Sequence, residues 1–348
     1  MTDRKVLAIK LRAMGDTIIL TAALTELRRA NPSVEIHVLV PRVWADLLKG
    51  HPAVDRIWVT DSRPKGLRFL KLVLKLRREK FSSVLAFHAS PTTALLARLL
   101  GAKRRAIHFH GHEDVNRFST VEIPGKGLLK PIIERDFEVL RAIGISPKTG
   151  TLPSITLTPQ EVSIAKNQME DLQLRAPVLA LGLGASRATK IWPLGRFAQI
   201  AQDWVGERNG SVLICVSENE SGLAESLLKS IEVRKERVVV QVGLPLRQVA
   251  ALLSQCQLFL GNDSGLKHLS IAVGLKTITL YGPEHPFEWH PYSKEKHPYF
   301  FVENLPCRRD ALPGMPPWCG LQDCVIENHQ CMRRIETAEV FEECKRQV

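Results

Sequence analysis

The sequence predicts an α/β fold of two similar domains, each a parallel sheet with helices on both faces. Three observations lead to it. The chain has 348 residues, too many for one ordinary domain and about right for two. Apolar residues make up 45% of it, enough to fill two cores. Short apolar runs alternate with segments of helical period, and this rhythm stops near residue 150 and then restarts.

In the first half, Val6–Leu11 reads as a buried strand and Thr17–Ala30 as the helix after it, stopped by Asn31-Pro32. Glu35–Val40 and Val54–Thr60 read as strands. Leu67–Arg78 carries leucines and valines at helical spacing, with basic residues on its other face. Strand Ser83–Phe87, helix Thr92–Leu100, strand Arg105–Phe109 and helix Lys130–Ile143, ended by Gly144, complete the set.

The second half opens with helix Gln160–Leu172 after Thr158-Pro159. Strands follow at Val178–Leu183, Val212–Val216, Val238–Val242, Leu258–Gly261 and Thr277–Tyr281. Between them lie helices Leu194–Glu207, Leu223–Ile231, Leu246–Ser254 and Leu266–Val273. The Pro- and Cys-rich stretch 283–331 reads as irregular, and Thr337–Arg346 as a closing helix. The boundary falls within residues 150–175. We divide the chain into an N-terminal domain 1–160, a C-terminal domain 161–330 and a closing segment 331–348. Two such domains facing one another leave a central cleft at the carboxyl ends of their strands, where open α/β sheets bind ligands.

The charge is uneven. Lys and Arg outnumber Asp and Glu by 27 to 14 in residues 1–150, against 21 to 22 in the remainder. A basic half points to an anionic partner: nucleic acid, an anionic membrane surface or a phosphorylated substrate. Aromatic residues are only 6% of the chain, and no stacking or helix-turn-helix pattern accompanies the charge, which argues against a nucleic-acid binder. No apolar run reaches the roughly 18 residues that span a bilayer. Met1-Thr2-Asp3-Arg4-Lys5 leads straight into the first strand without the apolar stretch of a signal peptide, so the expected location is the cytoplasm.

Three segments at strand–helix junctions carry candidate chemistry. Lys10-Leu11-Arg12-Ala13-Met14-Gly15-Asp16-Thr17 places Gly15 where a tight turn or close ligand approach is needed, and Asp16 at a helix start. From this motif alone, helix capping is the better account of Asp16. Gly261-Asn262-Asp263-Ser264-Gly265-Leu266-Lys267-His268 follows a strand and opens a helix. Outward N–H groups and the positive helix end there suit a phosphate or diphosphate, with His268 within reach. In Gly184-Ala185-Ser186-Arg187-Ala188-Thr189-Lys190-Ile191-Trp192-Pro193, Thr189 and Lys190 can hold anionic oxygens, and Lys190 can neutralise a leaving phosphate. A surface loop with one exposed Lys is the bland alternative.

Together, "KLRAMGDTIILTAALTELRRANP", "GASRATKIWPLGRFAQIA" and "LFLGNDSGLKHLSIAVGLKTITLYGP" resemble the ADP-heptose:lipopolysaccharide heptosyltransferase family, glycosyltransferase family nine, in order and over nearly the whole chain. The resemblance implies a GT-B architecture of two Rossmann-like domains and an inverting, metal-independent transfer that requires no cofactor. It implies that Asp16 is the general base, with Arg12 and Gly15 beside the acceptor. Lys190, Ser186, Thr189, Asp263, Ser264, Gly265 and His268 would contact the ADP-sugar, with Glu220 on the ribose and Leu244 on the adenine. The implied acceptor is the phosphorylated inner core of lipopolysaccharide. A basic N-terminal half then fits peripheral attachment to the anionic inner face of the inner membrane. The same architecture serves other nucleotide sugars.

Cys307, Cys319, Cys324 and Cys331 cluster near the C-terminus. They resemble the family's cysteine pattern in the last spacings, followed by Met332, with Cys307 displaced. Four thiolates can bind zinc or iron, and reduced structural thiols are the alternative.

Overall fold

Short apolar runs become strands wherever a helix covers each face, and the chain repeats this solution twice. The computed structural model describes residues 4–88, 90–108, 117–123, 130–232, 234–308, 319, 323–324 and 329–348. The chain divides into two compact units, Met1–Thr156 and Leu157–Val348. The break falls just before Thr158, whose hydroxyl forms a capping box with Glu161 and opens the first helix of the second unit.

The first unit runs β1 (Lys5–Ile9), α1 (Met14–Ala30), β2 (Glu35–Pro41), a 3-10 segment (Arg42–Leu48), β3 (Arg56–Thr60), α2 (Gly66–Arg77), β4 (Ser83–Ala86), α3 (Pro91–Leu99), β5 (Arg104–Ile107) and α4 (Ile132–Arg141). Its five strands are parallel, in the order β3-β2-β1-β4-β5. Leu7 and Ile9, two apart on β1, pack with Leu72, Val73 and Leu76 of α2 and Ala94, Leu96 and Ala97 of α3. The expected strand to Phe109 ends at Ile107, and Phe109 itself lies outside the described residues. The sequence reading of α2 is corrected in one respect. Its leucines do not all face the core: Leu67, Leu70 and Leu74 are 75%, 52% and 53% exposed, on the same side as basic residues.

The second unit runs α5 (Pro159–Asp171), β6 (Val178–Gly182), α6 (Leu194–Glu207), β7 (Ser211–Val216), α7 (Ser221–Lys229), β8 (Val238–Val242), α8 (Leu246–Leu253), β9 (Leu258–Asn262), α9 (Gly265–Ala272), β10 (Thr277–Tyr281), α10 (Pro286–Trp289), β11 (Tyr299–Phe301), α11 (Gln330–Arg333) and α12 (Thr337–Gln347). Six parallel strands lie in the order β11-β10-β9-β6-β7-β8. Leu179, Leu181, Leu258, Leu260, Ile278 and Leu280 share one core with Phe197 and Trp204 of α6 and with Val340, Phe341 and Cys344 of α12. The C-terminal helix is therefore part of this unit's core rather than a segment apart. Residues 283–331 are not wholly irregular either: α10 and β11 form there, β11 pairing parallel with β10. Tyr299–Phe301 is too short for its alternation to show in the sequence.

Candidate active site

Each sheet reverses its winding at one place, between β1 and β4 in the first unit and between β6 and β9 in the second. Loops leaving the two central strands there diverge to opposite faces and leave a crevice at the carboxyl edge. All three motifs sit on such loops.

In the second unit the loop after β6 carries Lys190, and the turn after β9 carries Asp263. Lys190 Nζ lies 2.5 Å from Asp263 Oδ2, and Lys267 Nζ lies 2.7 Å from Oδ1 of the same carboxylate. Asp263 is buried. Burial pushes its carboxyl up, but the Lys267 and Lys190 ammonium groups outweigh this and hold it well below the usual carboxylate range. Lys267 has no exposed surface and uses all its donors, giving also to Tyr281 Oη at 2.6 Å and to the Trp289 carbonyl at 3.0 Å. Burial draws its ammonium down to about 8 against the pull of Asp263.

Asn262 ends β9 with a fully buried side chain. Its Oδ1 accepts from Trp192 N at 2.9 Å, and its Nδ2 donates to the Leu183 carbonyl at 2.7 Å. This staple ties the Lys190 loop to the β9 turn. Trp192 is itself fully buried, edge-on to Phe197 at 5.0 Å, and donates through Nε1 to the Ile335 carbonyl at 3.2 Å. Both motif loops are thus fixed by the core below them.

Ser264 holds the N-cap position of α9, yet its side chain caps nothing. Its Oγ is buried and has no hydrogen-bond partner among the described residues. Beside it the Gly265 amide begins the helix, where the dipole is positive. An orphan hydroxyl, a helix start and Lys190 together suit diphosphate oxygens.

The other donor candidates spread along the same edge. Ser186 is exposed on the β6 loop, and Thr189 is buried in the 3-10 turn Ala188–Lys190. Glu220 follows β7. One of its oxygens accepts from Ser217 N and Oγ at 3.1 and 2.6 Å, and the other packs against Gly184, where an added Cβ would lie 1.8 Å from Oε1. Gly184 thus admits Glu220 to the Lys190 loop. Leu244 is half-buried after β8, beyond Gly243 at φ +69. His268 is buried, with Nδ1 2.5 Å from Tyr292 Oη. Burial, with the Lys267 charge nearby, draws its imidazole well below the ordinary value, so the ring is neutral.

In the first unit, Asp16 is not the cap of α1. Ala13 takes that position, and Asp16 lies in the first turn, buried. Its Oδ1 is 4.0 Å from Lys10 Nζ and 3.9 Å from Arg12 Nε. Lys10 is held by Asp136 Oδ1 at 2.6 Å and by the Phe87 carbonyl, at the end of β4, at 2.9 Å. Burial raises the Asp136 carboxyl against the opposing charge of Lys10. Arg12 is exposed, and Gly15 is buried in the first turn of the helix. A carboxylate at this edge is a candidate general base for a hydroxyl within hydrogen-bond reach.

Cys307, Cys319, Cys324 and Cys331 line one cavity with Thr189 and His329. Among the described residues no three His, Cys, Asp or Glu side chains are grouped to hold a metal ion. Burial pushes the Cys331 thiol up to about 11 and raises Cys307 as well.

Sequence reasoning quoted Lys267 and Lys10 within its motifs but gave neither a role, and it missed Asp136. Lys267 stands one helical turn after Asp263, a spacing that alone signals an ion pair. Asp136 gives no such local signal.

The sequence profile of glycosyltransferase family 9 (heptosyltransferase) matches residues 69–311. The lipopolysaccharide heptosyltransferase 1 of Pseudomonas aeruginosa is 26% identical over 301 residues, covering 81% of this chain and 79% of that protein. Among solved structures, the E. coli ADP-heptose lps heptosyltransferase II superposes with a TM-score of 0.78 at 21% identity, covering 99% of this chain and 98% of that one. The iron-containing dodecameric glycosyltransferase TibC of enterotoxigenic E. coli H10407 superposes with a TM-score of 0.60 at 13% identity, over 99% of this chain and 76% of its own. The α/β fold with two parallel sheets is that of the GT-B heptosyltransferases, and the chain belongs to glycosyltransferase family 9, the heptosyltransferases.

Proposed function

We propose that this glycosyltransferase moves a heptose from ADP-heptose to the phosphorylated inner core of lipopolysaccharide, with inversion. The observation that carries the reading is the meeting of Lys190, Asp263 and the orphan Ser264 hydroxyl at the start of α9, at the winding reversal of the second sheet. The named activities of the relatives supply the sugar and the acceptor.

Asp16 takes the proton from an acceptor hydroxyl as that oxygen bonds to the anomeric carbon. The carbon–oxygen bond to the diphosphate breaks, and ADP leaves with the electron pair. Lys190, the Ser264 hydroxyl and the α9 N-terminus meet the charge that develops on it. Ser186, Thr189 and His268 complete the donor contacts, Glu220 holds the ribose, Leu244 packs on the adenine, and Arg12 and Gly15 border the acceptor. The cysteine cluster enters no step and is read as reduced thiols. Metal analysis of untagged protein tests this: stoichiometric zinc or iron would overturn it.

The enzyme works peripherally at the anionic inner face of the inner membrane, where its glycolipid acceptor resides. The exposed Leu67, Leu70 and Leu74 of α2, beside exposed Arg68, Lys71, Lys75 and Arg78, support this attachment. No helix among the described residues is long and apolar enough to cross a membrane.

A donor panel tests the reading. The enzyme is incubated with a lipopolysaccharide inner-core acceptor and ADP-heptose, or with other nucleotide sugars. Turnover with ADP-heptose is expected. Turnover only with another donor would keep the glycosyltransferase and overturn the sugar.

A further inference from the structure

Asp263 is shared by two lysines of opposite character. Lys267 comes from α9 itself, is wholly buried, and spends its three N–H groups on Asp263, Tyr281 Oη and the Trp289 carbonyl. Lys190 comes from the loop after β6 and keeps 12% of its side chain exposed. One is locked, and the other borders solvent. Together the three groups carry one net positive charge.

Were Lys190 the sole partner of Asp263, the pair would be neutral. Turning the ammonium towards a ligand would then strand a buried carboxylate, which is strongly unfavourable. With Lys267 in place the carboxylate keeps a full partner whichever way Lys190 turns. Tyr281 and Trp289 hold Lys267 where it is, so it cannot follow Lys190 to the ligand. The adjacent Ser264 hydroxyl, buried without a partner among the described residues, marks the side on which an anion fits.

We propose that Lys267 is the resident counter-ion of Asp263, and that its presence frees the charge of Lys190 for the diphosphate of the donor. Lys267 is a positioning residue: it acts through Asp263 and touches no substrate. The inference rests on the donor reading of this site and assigns the lysine behind it.

The test is calorimetric binding of ADP and of adenosine to the full chain, as wild type, Lys267→Met, and Lys267→Met combined with Asp263→Asn. Lys267→Met should weaken ADP by about tenfold or more, because Asp263 then claims Lys190, and should leave adenosine unchanged. The double variant removes the competing carboxylate and should recover most of the lost ADP affinity. A purely structural role for Lys267 predicts no such recovery. ADP binding unchanged in Lys267→Met would overturn the inference. So would a double variant as weak as the single one. A wild-type protein that binds no ADP would overturn the donor reading, and the inference with it. Melting curves of all three proteins confirm that each is folded.

Discussion

Lys190 and Asp263 meet at 2.5 Å, one from the loop after β6 and the other from the turn after β9, although more than seventy residues separate them in the chain. Neighbouring parallel strands bring them together. Lys190→Ala should lower kcat by about a hundredfold or more, the usual loss when one preorganised charge on a leaving group is removed. Steady-state kinetics with saturating acceptor reads this. A rise in KM with kcat intact would instead make Lys190 a ground-state contact.

Asn262 is the staple under both loops. Asn262→Ala leaves the Trp192 amide and the Leu183 carbonyl without their partner. It should destabilise the chain by roughly 2 kcal/mol and weaken ADP binding, although the side chain is fully buried. Denaturant unfolding gives the first quantity and calorimetry the second. Unchanged stability would mean that the two loops are held by something else.

Buried histidines make the fold acid-sensitive. Burial lowers His290 to about 3 and His297 to about 4, from an ordinary value of 6.5. The unfolded chain binds those protons near its ordinary value and the folded chain does not. Stability is therefore full above about pH 6.5 and falls as the pH drops towards 4. At pH 5.5 each histidine costs about 1.4 kcal/mol. Melting temperatures from pH 8 to pH 4.5 test this, and replacing both by Gln should lessen the fall below pH 6.5, with buried His51 and His268 carrying part of the remainder. A slope unaltered in that double variant would remove these two residues as its cause.

The leucine stripe of α2 should respond to lipid. Leu70→Glu with Leu74→Glu should reduce cosedimentation with vesicles containing phosphatidylglycerol, while neutral phosphatidylcholine vesicles bind neither protein well. Equal binding of variant and wild type would place the membrane contact elsewhere.

The strand–helix rhythm was legible because most buried strands are short, mainly apolar runs framed by turn residues. Val178–Gly182 and Leu258–Asn262 are examples. Lys190 and the Asp263 turn were legible too, since small and charged residues at a strand–helix junction have few structural reasons to gather. What was hidden depends on tertiary packing. Nothing local to Lys10 foretells Asp136, which approaches it from a helix far along the chain. Leu67, Leu70 and Leu74 keep the period of a core face yet lie on the exposed one, because periodicity cannot say which stripe of an apolar helix is covered. The His268 ring was expected beside a ligand, and only the folded positions show Tyr292 as its partner. Asp16 lies just past the cap because the backbone turns at Ala13, a geometry its composition does not announce.

Asp16→Asn tests the mechanism most directly. The substitution keeps the shape of the side chain and removes its basicity. Transfer from ADP-heptose to the inner-core acceptor should fall to background in a single-turnover assay, while ADP binds as tightly as to wild type. Normal turnover in this variant would contradict Asp16 as the base and the account of catalysis built on it.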